Sequence, residues 1–190
     1  IEYVVDSADE AIRTICANES GRWQSQRGVV LLDPFGSDVS FDTIQAIAST
    51  EALDLWYLFP AGVSVFRQMG NDGTVDPTHA PSITRIWGDE TWKEEFLKPS
   101  AQGELFDGPS RSEKVVTPES AARGFVERMR RIFKGGVLDE LVPLGKHSYP
   151  SYYLIFAWGN PSSKARKLAE RLSKAAIKAT EREHGRPLSY

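Results

Sequence analysis

Residues 27–60, RGVVLLDPFGSDVSFDTIQAIASTEALDLWYLFP, constrain the fold more than any other stretch. Val29–Leu32 is an unbroken apolar run, and Asp33-Pro34-Phe35-Gly36 halts it, because proline has no N–H to give to a ladder. A run without polar alternation predicts a strand covered on both faces, as in the middle of a parallel sheet. Ser40 then predicts an N-cap for a helix that carries Phe41, Ile44, Ile47 and Ala48 on one face. Leu53–Phe59 is a second apolar run, closed by Pro60. The unit reads strand–helix–strand. Asp33 and Phe35 stand at the exit of its first strand, where open α/β sheets hold their ligands.

The flanks extend this alternation. Ile1–Val5 predicts a strand and Asp9–Ala17 a helix, with Ala8, Ile12 and Ile15 or Cys16 inward. A strand pattern that begins at Ile1 predicts that part of the domain lies upstream. Residues 61–116 read as a long connection, with a helical start near Val63–Arg67 and turn chemistry at Gly70-Asn71-Asp72-Gly73. Within it, Asp89 caps a short helix over Glu90–Lys98 that sets Trp92 and Phe96 four residues apart. Thr117-Pro118-Glu119 opens a helix with Ala122, Phe125 and Met129 in its stripe, and Gly135-Gly136 ends it. Val137–Leu144 and Tyr152–Trp158 predict two strands whose short link makes them antiparallel. A last helix follows Asn160-Pro161, with Leu168, Leu172 and Ala179 inward. The expected class is a single α/β domain over residues 1–190, mostly parallel, with an antiparallel pair at its C-terminal end.

Composition narrows the function. One cysteine, Cys16, excludes an internal disulfide and any multi-cysteine zinc site, and the three histidines have no ligand spacing. No apolar run approaches the length of a membrane helix, so a cytoplasmic protein without a membrane partner is expected. Charge is split. Residues 1–120 hold 9 Lys and Arg against 20 Asp and Glu, a net of −11. Residues 121–190 hold 14 against 6, a net of +8. Arg130, Arg131, Arg166 and Lys167 are candidates for a nucleic-acid backbone, with plain solvated helix faces as the alternative.

The chemistry candidates cluster at strand exits. Asp33-Pro34-Phe35-Gly36 resembles the Asp/Asn/Ser-Pro-Pro-aromatic motif of amino-group methyltransferases, and the Asp-Pro-aromatic-Gly of tRNA guanine dimethyltransferases. That likeness implies that the acid and the next carbonyl hold an amine, and that the ring stacks on a flipped base. The alternatives are a strand-ending acid with Phe35 in the core, or a Walker B acid, for which the sequence holds no phosphate loop. Asp6-Ser7-Ala8, at the exit of the first predicted strand, is the candidate for the adenine side of S-adenosylmethionine or an ordinary helix cap.

Over most of its length the chain resembles the three-Cys-motif partner (TcmP) family. The likeness rests on Arg27–Gly36, Ile44–Ala48, Asp54–Pro60, Trp87–Trp92 and Tyr153–Pro161. It implies a Rossmann-like class I methyltransferase fold, S-adenosylmethionine as cofactor, and a protein with a three-cysteine motif as partner. It also implies a further N-terminal region that carries the cofactor-binding half. Where that family tends to Asp-Ala-Asn, this chain has Ser7-Ala8-Asp9. Two expectations result: an amino-group methyltransferase, and a non-catalytic binding partner with the same fold.

Overall fold

A computed structural model describes residues 7–18, 21–70, 72–99, 112–146 and 149–184. The elements, in chain order, are α1 (Ala8–Asn18), β1 (Gly28–Leu32), α2 (Phe41–Ser49) and β2 (Leu53–Phe59). A π-helical turn (Ala61–Phe66), α3 (Ala80–Trp87), α4 (Trp92–Phe96), β3 (Leu97–Pro99) and β4 (Ser112–Lys114) follow. The chain closes with α5 (Pro118–Ile132), β5 (Gly136–Val137), β6 (Val142–Lys146), β7 (Tyr149–Trp158) and α6 (Ser163–His184). The predicted strand Ile1–Val5 lies outside the described residues.

The fold is mixed α/β around a mixed sheet. β1 and β2 pair in parallel, Gly28 opposite Leu53 and Leu32 opposite Tyr57. β7 returns antiparallel beside β2, with Phe59 opposite Tyr153. β5 and β6 are two pieces of one interrupted strand along the far side of β7. Antiparallel pairing therefore outweighs parallel among the described residues, against the mostly parallel sheet expected. β3 and β4 form a separate two-stranded hairpin.

One face of the sheet is covered by α1, α2, α5 and the π-helical turn. Phe125 of α5 sits at the centre of this layer, stacked on Phe59 with ring centroids 4.3 Å apart and tilted against Tyr57 at 5.6 Å. Phe41 and Trp87 close on its edges at 5.9 Å. The capping residues do what their types predict. Ser40 accepts from the Thr43 N–H, and Thr117 exchanges hydrogen bonds with Ser120 at the head of α5.

Three expectations are corrected. Val29 and Leu31 are each 66% exposed, so β1 is not buried on both faces. It is the outermost described strand, and the layer that covers its Val30 and Leu32 side has no counterpart over Val29 and Leu31. In α6 the buried stripe is Ala169, Ser173 and Ile177, and Leu168 and Leu172 are exposed. Small residues let this helix lie close on Phe156 and Trp158, so its phase follows contact distance, not side-chain size. In α1 Ile12 and Cys16 face inward as expected, but Asp9 and not Ala8 shares their stripe, and Ala8 and Ile15 are exposed. Residues 61–116 also hold more structure than a loop. Ile83, Ile86 and Trp87 bury one face of α3, a helix the sequence analysis did not predict. Among the described residues no helix is long and apolar enough to cross a membrane.

Candidate functional site

Asp33-Pro34-Phe35-Gly36 leaves β1 as a sharp turn. Pro34 is buried, Asp33 and Phe35 project outward, and Phe35 is 91% exposed. Gly36 takes φ +70°, a left-handed conformation that glycine adopts without cost. A Cβ there would stand 3.5 Å from Ser64 Oγ, an ordinary contact, so conformation and not space selects the glycine. Ser64 belongs to the π-helical turn after β2. The exits of the two parallel strands therefore meet.

The turn after β2 is tightly built. The N–H groups of Ser64 and Val65 both donate to the Pro60 carbonyl, at 3.0 and 3.3 Å. Such turns recur at functional sites. Lys114 anchors it from the β3–β4 hairpin. Its Nζ donates to the carbonyls of Met69 at 2.9 Å and Phe66 at 3.4 Å, and lies 3.5 Å from the Phe66 ring centroid. Burial pushes the Lys114 ammonium below its ordinary pKa.

Behind the Asp33–Gly36 turn lies a buried polar knot. The Asp9 carboxylate accepts from the Ser40 N–H at 2.9 Å, Thr43 Oγ1 at 2.7 Å and Arg85 Nη2 at 2.7 Å. Arg85 also donates to the Asp38 carbonyl at 3.0 Å. Burial pushes the Asp9 carboxyl up, but the donors from Thr43, Arg85 and Ser40 outweigh it and hold the group below the usual carboxylate range. Neither the buried role of Asp9 nor that of Arg85 is among the sequence-based expectations. The phase of α1 carried a signal, since Asp9, Ile12 and Cys16 share one stripe and a carboxylate on an inward stripe needs partners.

The other predicted residues divide. Asp6 lies outside the described residues. Ser7 and Ala8 are exposed at the start of α1. Asp9, the next acid, is spent on Ser40, Thr43 and Arg85. Among the described residues, no three His, Cys, Asp or Glu residues gather as a metal site. Arg130 and Arg166 line one cavity of about 470 Å³, and Arg131 and Lys167 lie outside it. That cavity includes Trp158, beside the entry of β2, where the Gly159 N–H donates to Asp54 Oδ1 at 3.2 Å. It stands at the opposite end of the sheet from Asp33.

In chemical terms, the exit of β1 offers an exposed carboxylate beside an exposed ring on a braced turn. The carboxylate can accept from a donor group, and the ring can stack on a planar one. No protein-family model matches the chain, and no curated protein or solved structure matches it either.

Proposed function

We propose that the chain belongs to a class I methyltransferase-like domain of the TcmP type, acting on an amino group of a nucleic-acid base. One observation carries the reading: buried Pro34 separates exposed Asp33 from exposed Phe35, so an acid and an aromatic ring project from one turn at a strand exit. The Asp33 carboxylate and the Pro34 carbonyl accept from the amine, and Phe35 stacks on the base. Orientation of the nitrogen lone pair then supplies most of what this chain contributes to rate. S-adenosylmethionine, when bound, supplies the methyl group. The strand sequence β1–β2–β7, with the interrupted β5–β6 strand outside, supports the reading, because such domains end on an antiparallel pair.

A second reading is a non-catalytic partner of a three-cysteine-motif protein. The engagement of Asp9 favours it, since that acid is closed to any ligand.

Calorimetric titration of S-adenosylmethionine and S-adenosylhomocysteine into the protein separates the two. Micromolar binding supports the enzyme; a folded protein that binds neither supports the partner. In an active assay Asp33→Ala abolishes turnover with an unchanged melting temperature, and full activity of that variant would remove its role.

A further inference from the structure

We propose that the groove along the β5 edge of the sheet, flanked by the end of α5 on one face and by α6 on the other, binds the phosphate backbone of a single-stranded nucleic acid, and that Asp139 and Glu127 hold Arg130 in place while the groove is empty. Two hollows meet there. The larger, about 470 Å³, is lined by Arg130, Arg166 and Lys174 and floored by Val137, Leu138 and Trp158. The smaller, about 260 Å³, is lined by Arg123 and Arg130. Both include Arg130 and Asp139, so this ion pair divides one continuous groove.

The cations lie along a line. Arg166 and Lys174 sit on one row of α6, eight residues apart, which spans ~12 Å at the rise of an α-helix. That length suits successive phosphates better than a single ion. Trp158, buried in the floor, has an Nε1–H without an acceptor among the described residues.

Carboxylates answer these cations. Asp139, Glu140 and Glu170 line the larger hollow, and Glu127 the smaller. Their placement decides which group yields. Arg130 pairs with both Glu127 and Asp139; their side chains are 60% and 94% exposed against 33% for Arg130, so the acids leave for water while Arg130 stays. Exposed ion pairs are weak, and a phosphate accepts from guanidinium in the same forked manner. Arg166 pairs with Glu170 one turn on and is the more exposed of the two, and such an exposed pair is weak enough for a phosphate to compete with Glu170. Lys174 has no ion-pair partner among the described residues. The +8 excess of residues 121–190 supplies the longer-range attraction.

That the polyanion is a nucleic acid rests on the function proposed above; that the groove takes a polyanion does not. The test is fluorescence anisotropy of a labelled single-stranded RNA with the full-length protein, without methyl donor, across a salt series. The triple variant Arg130→Gln, Arg166→Gln, Lys174→Gln should weaken binding at least ~10-fold at low salt and lower the salt slope by roughly 2. A matched triple, Arg131→Gln, Lys167→Gln, Lys164→Gln, removes the same charge from the same helices outside the groove and should change little. Asp139→Asn removes the more exposed of Arg130's two carboxylate partners and should tighten binding about two- to five-fold. Equal weakening by the two triples, or no tightening by Asp139→Asn, overturns the groove. If the groove triple does not fold, Asp139→Asn decides alone, because its exposed side chain can be changed without disturbing the core. Displacement of the RNA by poly-glutamate at equal charge overturns the nucleic-acid occupant and points to an acidic protein. Loss of methyl transfer with binding intact would leave the groove standing and sink only the catalytic reading.

Discussion

The main-chain N–H of Ser40 donates to Asp9 Oδ1 at 2.9 Å, across 31 residues of sequence. Through that bond α1 is fastened to the head of α2. Arg85, reaching in from α3, ties the same carboxylate to the Asp38 carbonyl. The Asp38–Ser40 stretch, which follows the turn that carries Asp33 and Phe35, is therefore held by side chains from α1 and α3.

Asp9→Ala should cost about 2–3 kcal/mol, because it leaves the Ser40 N–H buried without an acceptor and the Thr43 hydroxyl with only Ser40 Oγ, at 3.2 Å. The pH dependence has a definite sign. The folded pKa of Asp9 lies below its ordinary value, so its contribution is complete above the unfolded value of about 3.9 and is lost as pH falls through the folded one. Urea midpoints of wild type and Asp9→Asn should differ at pH 7 and converge below about pH 4. A constant difference down to pH 2 would show that Asp9 acts by shape alone.

Arg128 is the second staple. Its side chain is 11% exposed, with the guanidinium 5.1 Å from the Trp87 ring centroid and 5.8 Å from that of Phe41. It pairs with Glu95 at 3.3 Å and with Asp89, and donates to Thr91 Oγ1 at 2.9 Å. Arg128→Ala should cost about 2–3 kcal/mol, at the low end for a buried pair because both acids are half-exposed. Arg128→Lys should recover less than half, since an ammonium has neither the fork nor the flat face. Thermal melting of the three proteins reads this directly; a lysine variant as stable as wild type would show that charge alone matters there.

What the sequence made legible was the local chemistry. The β2 span, the Ser40 and Thr117 caps, and the inward stripes of α2 and α5 follow from periodicity and cap residues, and all appear as expected. What failed was context. An apolar run such as Val29–Leu32 reports that a strand wants cover on two faces, not that both covers are present. The phase of α6 was misread because Leu168 and Leu172 outweigh Ala169 and Ser173 in hydrophobicity, while close packing on Trp158 favours the smaller pair. At the proposed site, the Asp33–Gly36 turn was legible from its proline. Asp9, Arg85 and Lys114 were not, because each works through residues dozens of positions away.

The exposed face of β1 has a consequence for association. Between Gly28 and Leu32 it carries none of the usual guards of an edge strand: no lysine, no proline and no bulge. Leu31→Lys should leave unfolding free energy within about 0.5 kcal/mol, as expected where a side chain is mostly solvated. It should also suppress concentration-dependent self-association of residues 1–190, read by light scattering. Loss of more than about 2 kcal/mol would show that Leu31 is covered in solution.

The coupling between the two strand exits can be tested at two glycines of different kinds. A Cβ on Gly62 would fall 2.3 Å from the Pro150 carbonyl oxygen and 3.0 Å from Ser151 Cα. Both are main-chain atoms, so the π-helical turn and the start of β7 must separate to admit it. Gly62→Ala should therefore cost about 2–3 kcal/mol. Gly36→Ala meets only Ser64 Oγ at 3.5 Å and pays for a left-handed φ alone, about 1–2 kcal/mol. The difference should appear in urea midpoints. In the proposed reaction the ranking reverses, because Gly36 shapes the turn that presents Asp33 and Phe35, and Gly62 only supports its neighbour. Gly36→Ala should lower methyl transfer more than Gly62→Ala at a temperature where both variants are folded. Equal loss from the two would mean that the turn after β2, not the turn after β1, sets the geometry of the site.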